Sequence, residues 1–155
     1  MIILASFYDQ IVKSMPIPCI DLLITKPDQS ILLVQRTNEP ARGKWWFPGG
    51  RVHLGETRQN AAIRKLREEC QLEAHTGPKE LMTQDLIFHQ SDGSVIHSIS
   101  TVFDVSVAAE AKVTLDAQSA AYKWGSATYW KNQGPLDAFI IQSLELKFTD
   151  TNGHL

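Results

Sequence analysis

The stretch Gly49-Gly50-Arg51-Val52-His53-Leu54-Gly55-Glu56, followed after Thr57 by a run ending Arg64-Lys65-Leu66-Arg67-Glu68-Glu69-Cys70-Gln71-Leu72, decides how the rest of the chain is read. Pro48 and the aromatic run Trp45-Trp46-Phe47 precede it, so the chain turns sharply at the glycine pair. Glycine there permits positive φ and a close approach to the backbone. From Thr57, apolar residues at Ala62, Ile63, Leu66 and Cys70 predict a helix over 57–70 with one apolar stripe. Arg64, Glu68 and Glu69 fall off that stripe. Arg64 and Glu68 are four residues apart, as are Lys65 and Glu69, so each pair meets on the helix surface.

The adjacent carboxylates of Glu68 and Glu69 admit two readings. One is a solvated face laced with ion pairs, the usual fate of surface glutamates. The other is a site for a hard cation such as Mg²⁺, which takes oxygen ligands and is often shared between carboxylates and substrate phosphates. The surrounding spacing weighs on the choice. Gly50, Glu56, Arg64, Leu66, Glu68, Glu69 and Leu72 stand in the register of the Nudix box, and the chain resembles that family. It departs from the box at Lys65, where the family usually has Glu, and at Gln71, where it usually has Gly. Asp21, Arg36 to Ala41, Gly43, Trp45 and Pro48 to Val52 further resemble the GDP-mannose mannosyl hydrolase branch, over most of residues 14–72.

That resemblance implies an α/β/α sandwich with a mixed sheet, a single Nudix domain spanning 1–155, and Mg²⁺ as cofactor, with Mn²⁺ as an alternative. It implies metal ligands at Gly49 (through its carbonyl), Glu69 and Gln118, beside the carboxylate Glu68 already singled out. Gly50, Glu56 and Arg64 would be the structural part of the box, with Glu56 and Arg64 paired. Arg36 and Arg51 would bind substrate and stabilise the departing diphosphate, and Asp21 would help orient it. Water would attack the sugar C1 of a nucleotide sugar, releasing a nucleoside diphosphate. Lys65 puts positive charge where most of the family has a carboxylate ligand or base, which suits this branch better than the pyrophosphatases.

The branch's general base is a histidine directly after the late-loop glutamine, and here that position is Ser119. A serine hydroxyl does not titrate near neutrality. His89 and His97, in a hairpin expected to wall the site, and Asp116 are the substitutes; His53 reads as exposed, and His75 and His154 as peripheral. Three functions compete. The first is a hydrolase of a nucleoside diphosphate sugar cutting at carbon. The second is a pyrophosphatase cutting at phosphorus. The third is a nucleotide-sugar binding module that has lost turnover.

Composition bounds these readings. The chain has 155 residues, 43% hydrophobic and 21% charged, ordinary for a globular domain with a real core. A net charge of −2 argues against a nucleic-acid binder. No apolar run approaches the ~18 residues of a membrane span, and the first fifteen residues lack a basic start, so they do not read as a signal peptide. Cys19 and Cys70 form no motif and read as buried free thiols, in keeping with a reducing cytoplasm.

The remaining elements follow from pattern. Residues 3–14 predict a helix with Ile3, Phe7, Ile11 and Val12 on one side, stopped by Pro16 and Pro18. Strands are expected over 19–25, 31–36, 81–90, 95–107 and 121–124, with a polar connection over 36–44 and a loop free to move over 108–118. A last helix over 135–147 starts at Pro135 and buries Leu136, Phe139, Ile140, Ser143 and Leu144; from Thr149 the chain reads as a frayed tail. Trp45, Trp46, Tyr122 and Trp124 could stack a purine or belong to the core. The apolar side of the first helix could serve a homodimer.

Overall fold

The computed structural model describes residues 3–149. Eleven elements follow one another: α1 (Ala5–Ser14), β1 (Ile17–Thr25), β2 (Ile31–Arg36), β3 (Trp45–Trp46), β4 (Gly49–Arg51), α2 (Arg58–Cys70), β5 (Lys79–His89), β6 (Val95–Ser106), β7 (Ser119–Gly125), α3 (Ala127–Asn132) and α4 (Ala138–Thr149). The strands form one mixed sheet: β1 runs parallel to β6, and the other pairs are antiparallel.

Alternation along β1 assigns its side chains to two cores. Ile20, Leu22 and Ile24 face α2, meeting Ala61, Ala62, Leu66 and Cys70, with Phe103 and Val105 of β6. Leu23 faces the other way, into a cluster with Trp46, Phe47, Val102, Trp130 of α3 and Phe139, Ile140 and Leu144 of α4. Helices therefore cover both faces, and the fold is the expected α/β/α sandwich.

The feature that shapes the molecule is a divergence in the sheet. β1 and β2 are in register only where Thr25 meets Ile31. Farther on, β1 takes β4 as partner, Asp21 opposite Gly49, while β2 takes β3, Val34 opposite Trp46. The segment 45–51 thus crosses from one strand to the other. Neither short strand was foreseen, because each is defined by its partner and not by its own two or three residues. Gly49 has no room for a side chain: a Cβ would lie 2.2 Å from the Ile20 carbonyl oxygen.

Helix α2 starts at Thr57, whose hydroxyl accepts from the Asn60 N–H at 3.1 Å. It ends at Gln71, held left-handed at φ 54°, with its N–H donated to Arg67 O and Leu66 O. This is the box position where glycine is usual, and a non-glycine residue there costs roughly 1–2 kcal/mol of backbone strain. The loop after β6 is tied to the end of α2 by Thr114 N–H to Cys70 O and Asp116 N–H to Glu69 O, and Val113 is buried. It is anchored at this end, against the expectation of a free loop.

Other expectations need correction. β1 begins at Ile17 and includes Pro18, which accepts from Val52 N–H at the end of the β4 ladder and so gives up only one bond. α1 lines the cleft with Tyr8 and Val12, half-buried, and with the exposed Ala5, while Phe7, expected on the apolar side, is exposed with Leu4 and Met15. α4 starts at Ala138, not Pro135, because Asp137 Oδ1 accepts from Phe139 N–H. α3 was missed; Ser126 caps it through Tyr129 N–H. Thr149 closes α4, and the rest of the expected tail lies outside the described residues. Cys70 is buried, but Cys19 is only half-buried, at the edge of a cleft. No helix among the described residues is long and apolar enough to cross a membrane.

Candidate active site

A cleft of about 690 Å³ opens where β1 and β2 part. Loop 36–41, Gly49 to Arg51, α2, α1 and the β5–β6 hairpin enclose it. Arg36, Arg51, Arg64, Lys65, Glu68 and Gln118 give it a polar lining, and Trp46, Leu86, Phe88 and Ile96 an apolar one.

The glycine bend and α2 are joined through Glu69. In the β1–β4 ladder, Leu22 N–H bonds Pro48 O and Val52 N–H bonds Pro18 O. Antiparallel alternation then leaves Asp21 and Gly49 as a pair that exchanges no bonds, so Gly49 turns both its N–H and its C=O away from β1. Its N–H goes to Glu69 Oε2 at 3.0 Å. Glu69 is buried, and burial pushes its carboxyl pKa up against the opposing pull of Lys65. The other oxygen, Oε1, lies 2.7 Å from Lys65 Nζ, yet off the direction of a hydrogen bond, and is otherwise without a partner. Glu68 is half exposed, with Oε2 3.0 Å from Arg64 Nη1 and 3.6 Å from Lys65 Nζ.

Arg64 clamps the loop to the helix. Its guanidinium donates to both Glu56 oxygens, at 2.7 and 2.9 Å, and to the Arg51 carbonyl at 3.0 Å. Glu56 Oε2 also accepts the His53 N–H. These bonds, Arg64 foremost, hold the Glu56 carboxyl down to about 2.

Asp21 lies at the cleft wall, buried, accepting from Trp46 Nε1 at 3.2 Å and from the Ser100 hydroxyl. Burial raises its pKa to about 6, against Ser100, Arg36 and Trp46. Arg36 is steered by a bond from Nε to Pro40 O at 2.8 Å, and the Arg51 guanidinium stacks 5.2 Å over the Tyr8 ring. Gln118 is held by Asp116, which accepts its N–H, and by Thr37, which donates to its carbonyl.

The structure gathers Asp21, Arg36, Gly49, Gly50, Arg51, Arg64, Lys65, Glu68 and Gln118 around this cleft. It does not gather His89 and His97. In the hairpin, Leu86 and Phe88 pair with Ser98 and Ile96 and face the cleft. Alternation sends His89 and His97 to the opposite face, where His97 Nε2 meets Asp85 at 3.0 Å. The hairpin walls the site, but not through its histidines. The cleft is lined instead by a histidine that sequence reasoning set aside as exposed: His53 is half-buried there. Desolvation, then Arg64 and Arg51, lower its pKa. Its position between Arg51 and Glu56 was the available signal. Of the four aromatics considered for stacking, Trp46 alone lines the cleft; Trp45 lies against Trp130, Trp124 takes Lys26, and Tyr122 is exposed.

Among the described residues, no cluster of three or more His, Cys, Asp or Glu could hold a metal. The donor chemistry at the bend nonetheless suits one hard cation: the Gly49 carbonyl turned away from β1, Glu69, whose Oε1 has only the Lys65 ammonium beside it, Glu68 and the Gln118 side chain are all oxygen donors. Lys65 crowds that set and leaves little place for a second ion.

Comparison with known proteins agrees with this geometry. The low-salt glycan biosynthesis protein Agl8 of Haloferax volcanii is 35% identical over 103 residues, covering 64% of this chain and 65% of that protein. The chain therefore spans just under two thirds of the length of that curated relative. A MutT protein from Methanosarcina mazei Go1 shares the fold at a TM-score of 0.74 and 23% identity, covering 91% of this chain and 99% of that one. A MutT NUDIX hydrolase from Burkholderia pseudomallei superposes at 0.71 and 25% identity, covering 86% and 98%. The NUDIX domain model matches residues 15–134. With that much of the sequence accounted for, the chain belongs to the NUDIX family.

Proposed function

We propose that this chain is a Mg²⁺-dependent hydrolase of a nucleoside diphosphate sugar, GDP-mannose or a close analogue, releasing the nucleoside diphosphate and free sugar. The observation that carries the reading is the mixed lining of the cleft, which holds the cations Arg36, Arg51 and Lys65 together with Trp46, Leu86 and Phe88. Two linked phosphates suit the first set, and a flat base or sugar ring the second. The relative named for glycan biosynthesis supports a sugar-bearing substrate.

A bound Mg²⁺, held by Gly49 O, Glu69, Glu68 and Gln118, would supply charge neutralisation on the diphosphate. The chain's own groups do the rest. Arg36, fixed by Pro40, and Arg51, fixed by Tyr8, draw charge from the departing oxygen. Asp21, locked by Ser100 and Trp46, orients the polar edge of the sugar. Water attacks C1, the C1–O bond breaks with its electron pair on the diphosphate, and the neutral His53 imidazole takes the water proton. His53→Gln is then expected to lower kcat and remove the acid limb of its pH profile, with GDP affinity intact; a limb that survives the substitution excludes this role.

The second reading is a pyrophosphatase attacking phosphorus, favoured by the adjacent carboxylates Glu68 and Glu69 on α2. Hydrolysis of GDP-mannose in H₂¹⁸O decides between the two. Label in free mannose, with GDP as co-product, is the expected result. Label in GMP or mannose 1-phosphate overturns attack at carbon, and binding without product overturns turnover itself.

A further inference from the structure

We infer that Lys65 is a built-in cation for the diphosphate, so that this cleft holds a diphosphate with no divalent ion present. The inference rests on the reading of the cleft as a nucleoside diphosphate site. Lys65 is a buried lysine on α2, and its stem runs against Gly50: a Cβ on that glycine would lie 2.7 Å from Lys65 Cε. The side chain is thereby led to the bend, where its ammonium lies 2.7 Å from Glu69 Oε1 and 3.6 Å from Glu68 Oε2.

Neither contact exhausts the group. An ammonium has three N–H donors. The Glu69 contact is off-axis, the Glu68 contact is long, and Lys65 itself lines the cleft beside Arg51. A donor is left for a ligand oxygen. The positive charge is fixed to the helix and shares a carboxylate with the place a metal would take, so it is present whether or not a metal is. Arg36 and Arg51 line the same cleft and add two further positive charges. Of the carboxylates there, Asp21 is tied to Ser100 and Trp46, Glu68 is occupied by Arg64, and Glu69, the counterion of Lys65, spends its other oxygen on the Gly49 N–H, which leaves Arg36 and Arg51 in excess.

Calorimetric titration of the protein with GDP and with inorganic pyrophosphate, in excess EDTA and then in Mg²⁺, tests this. The parent is expected to bind both probes in EDTA, within about tenfold of its affinity in Mg²⁺, and Lys65→Met to lose about tenfold in EDTA and a smaller factor in Mg²⁺. Lys65→Gln serves as a second variant should the methionine protein melt early. Parent binding that requires Mg²⁺, or variants that bind like the parent in EDTA, overturns the inference. No binding in either condition overturns the diphosphate reading with it. Label at phosphorus in the ¹⁸O experiment touches only the site of attack.

Discussion

Glu69→Gln is expected to lower kcat about 10²–10³-fold while leaving most of the fold intact. The carboxylate does three things at once. Oε2 takes the Gly49 N–H, Oε1 faces Lys65 Nζ, and together they align the glycine carbonyl with the helix. The amide keeps the shape and one acceptor but loses the charge. Lys65 is then buried without its counterion, and the oxygen set offered to a cation is reduced. The isostere preserves packing but strands the Lys65 charge, so a thermal melt should fall while staying cooperative. Parent-like turnover in the variant, measured on GDP-mannose with saturating Mg²⁺, would remove the bend as the centre of the chemistry. Collapse of the melt would instead make Glu69 a folding residue.

Arg64→Met is expected to cost about 2–3 kcal/mol of stability and to loosen the loop that carries Arg51 and His53. The guanidinium makes a two-pronged bond to Glu56, one to the Arg51 carbonyl and one to Glu68, and methionine keeps only the stem. The pH dependence follows from Glu56. Its carboxyl is held below its ordinary value of 4.5, at about 2, chiefly by Arg64. A carboxyl depressed in the folded state contributes stability that is complete above its unfolded pKa and is lost as pH falls through the folded one. The stability gap between parent and variant, from urea melts, should therefore be full above pH 4.5 and shrink towards pH 2. A constant gap across that range would assign the loss to packing alone.

How much of this could be read from residues alone depended on how local each signal was. Helix α2 was legible because its stripe, Ala62 to Cys70, and its cap, Thr57, lie within one segment. The β5–β6 hairpin was legible through Asp92-Gly93 and the alternation of β6. β3 and β4 were not, since β2 and β1 define them. α3 was hidden by its shortness: six residues offer less than two turns of periodicity. The box motif led to the residues around Gly49, Arg64 and Glu69, but not to the histidine beside them. Strand alternation separated two faces in β5 and β6, yet only the placement of α1 and the cleft showed that His89 and His97 are on the far one. His53 was passed over because a loop histidine gives no pattern; its half-burial comes from the Glu56–Arg64 clamp that folds the loop back on the helix.

The segment 45–51 bears on how such a molecule can change over time. It is threaded between β2 and β1, with Pro48 and Gly49 already within touching distance of Leu22 and Ile20. An inserted residue there would slip its pairing by one and swap its two faces. Length variation is therefore expected elsewhere, as at 108–112, ahead of the bonds that tie Thr114 and Asp116 to the end of α2.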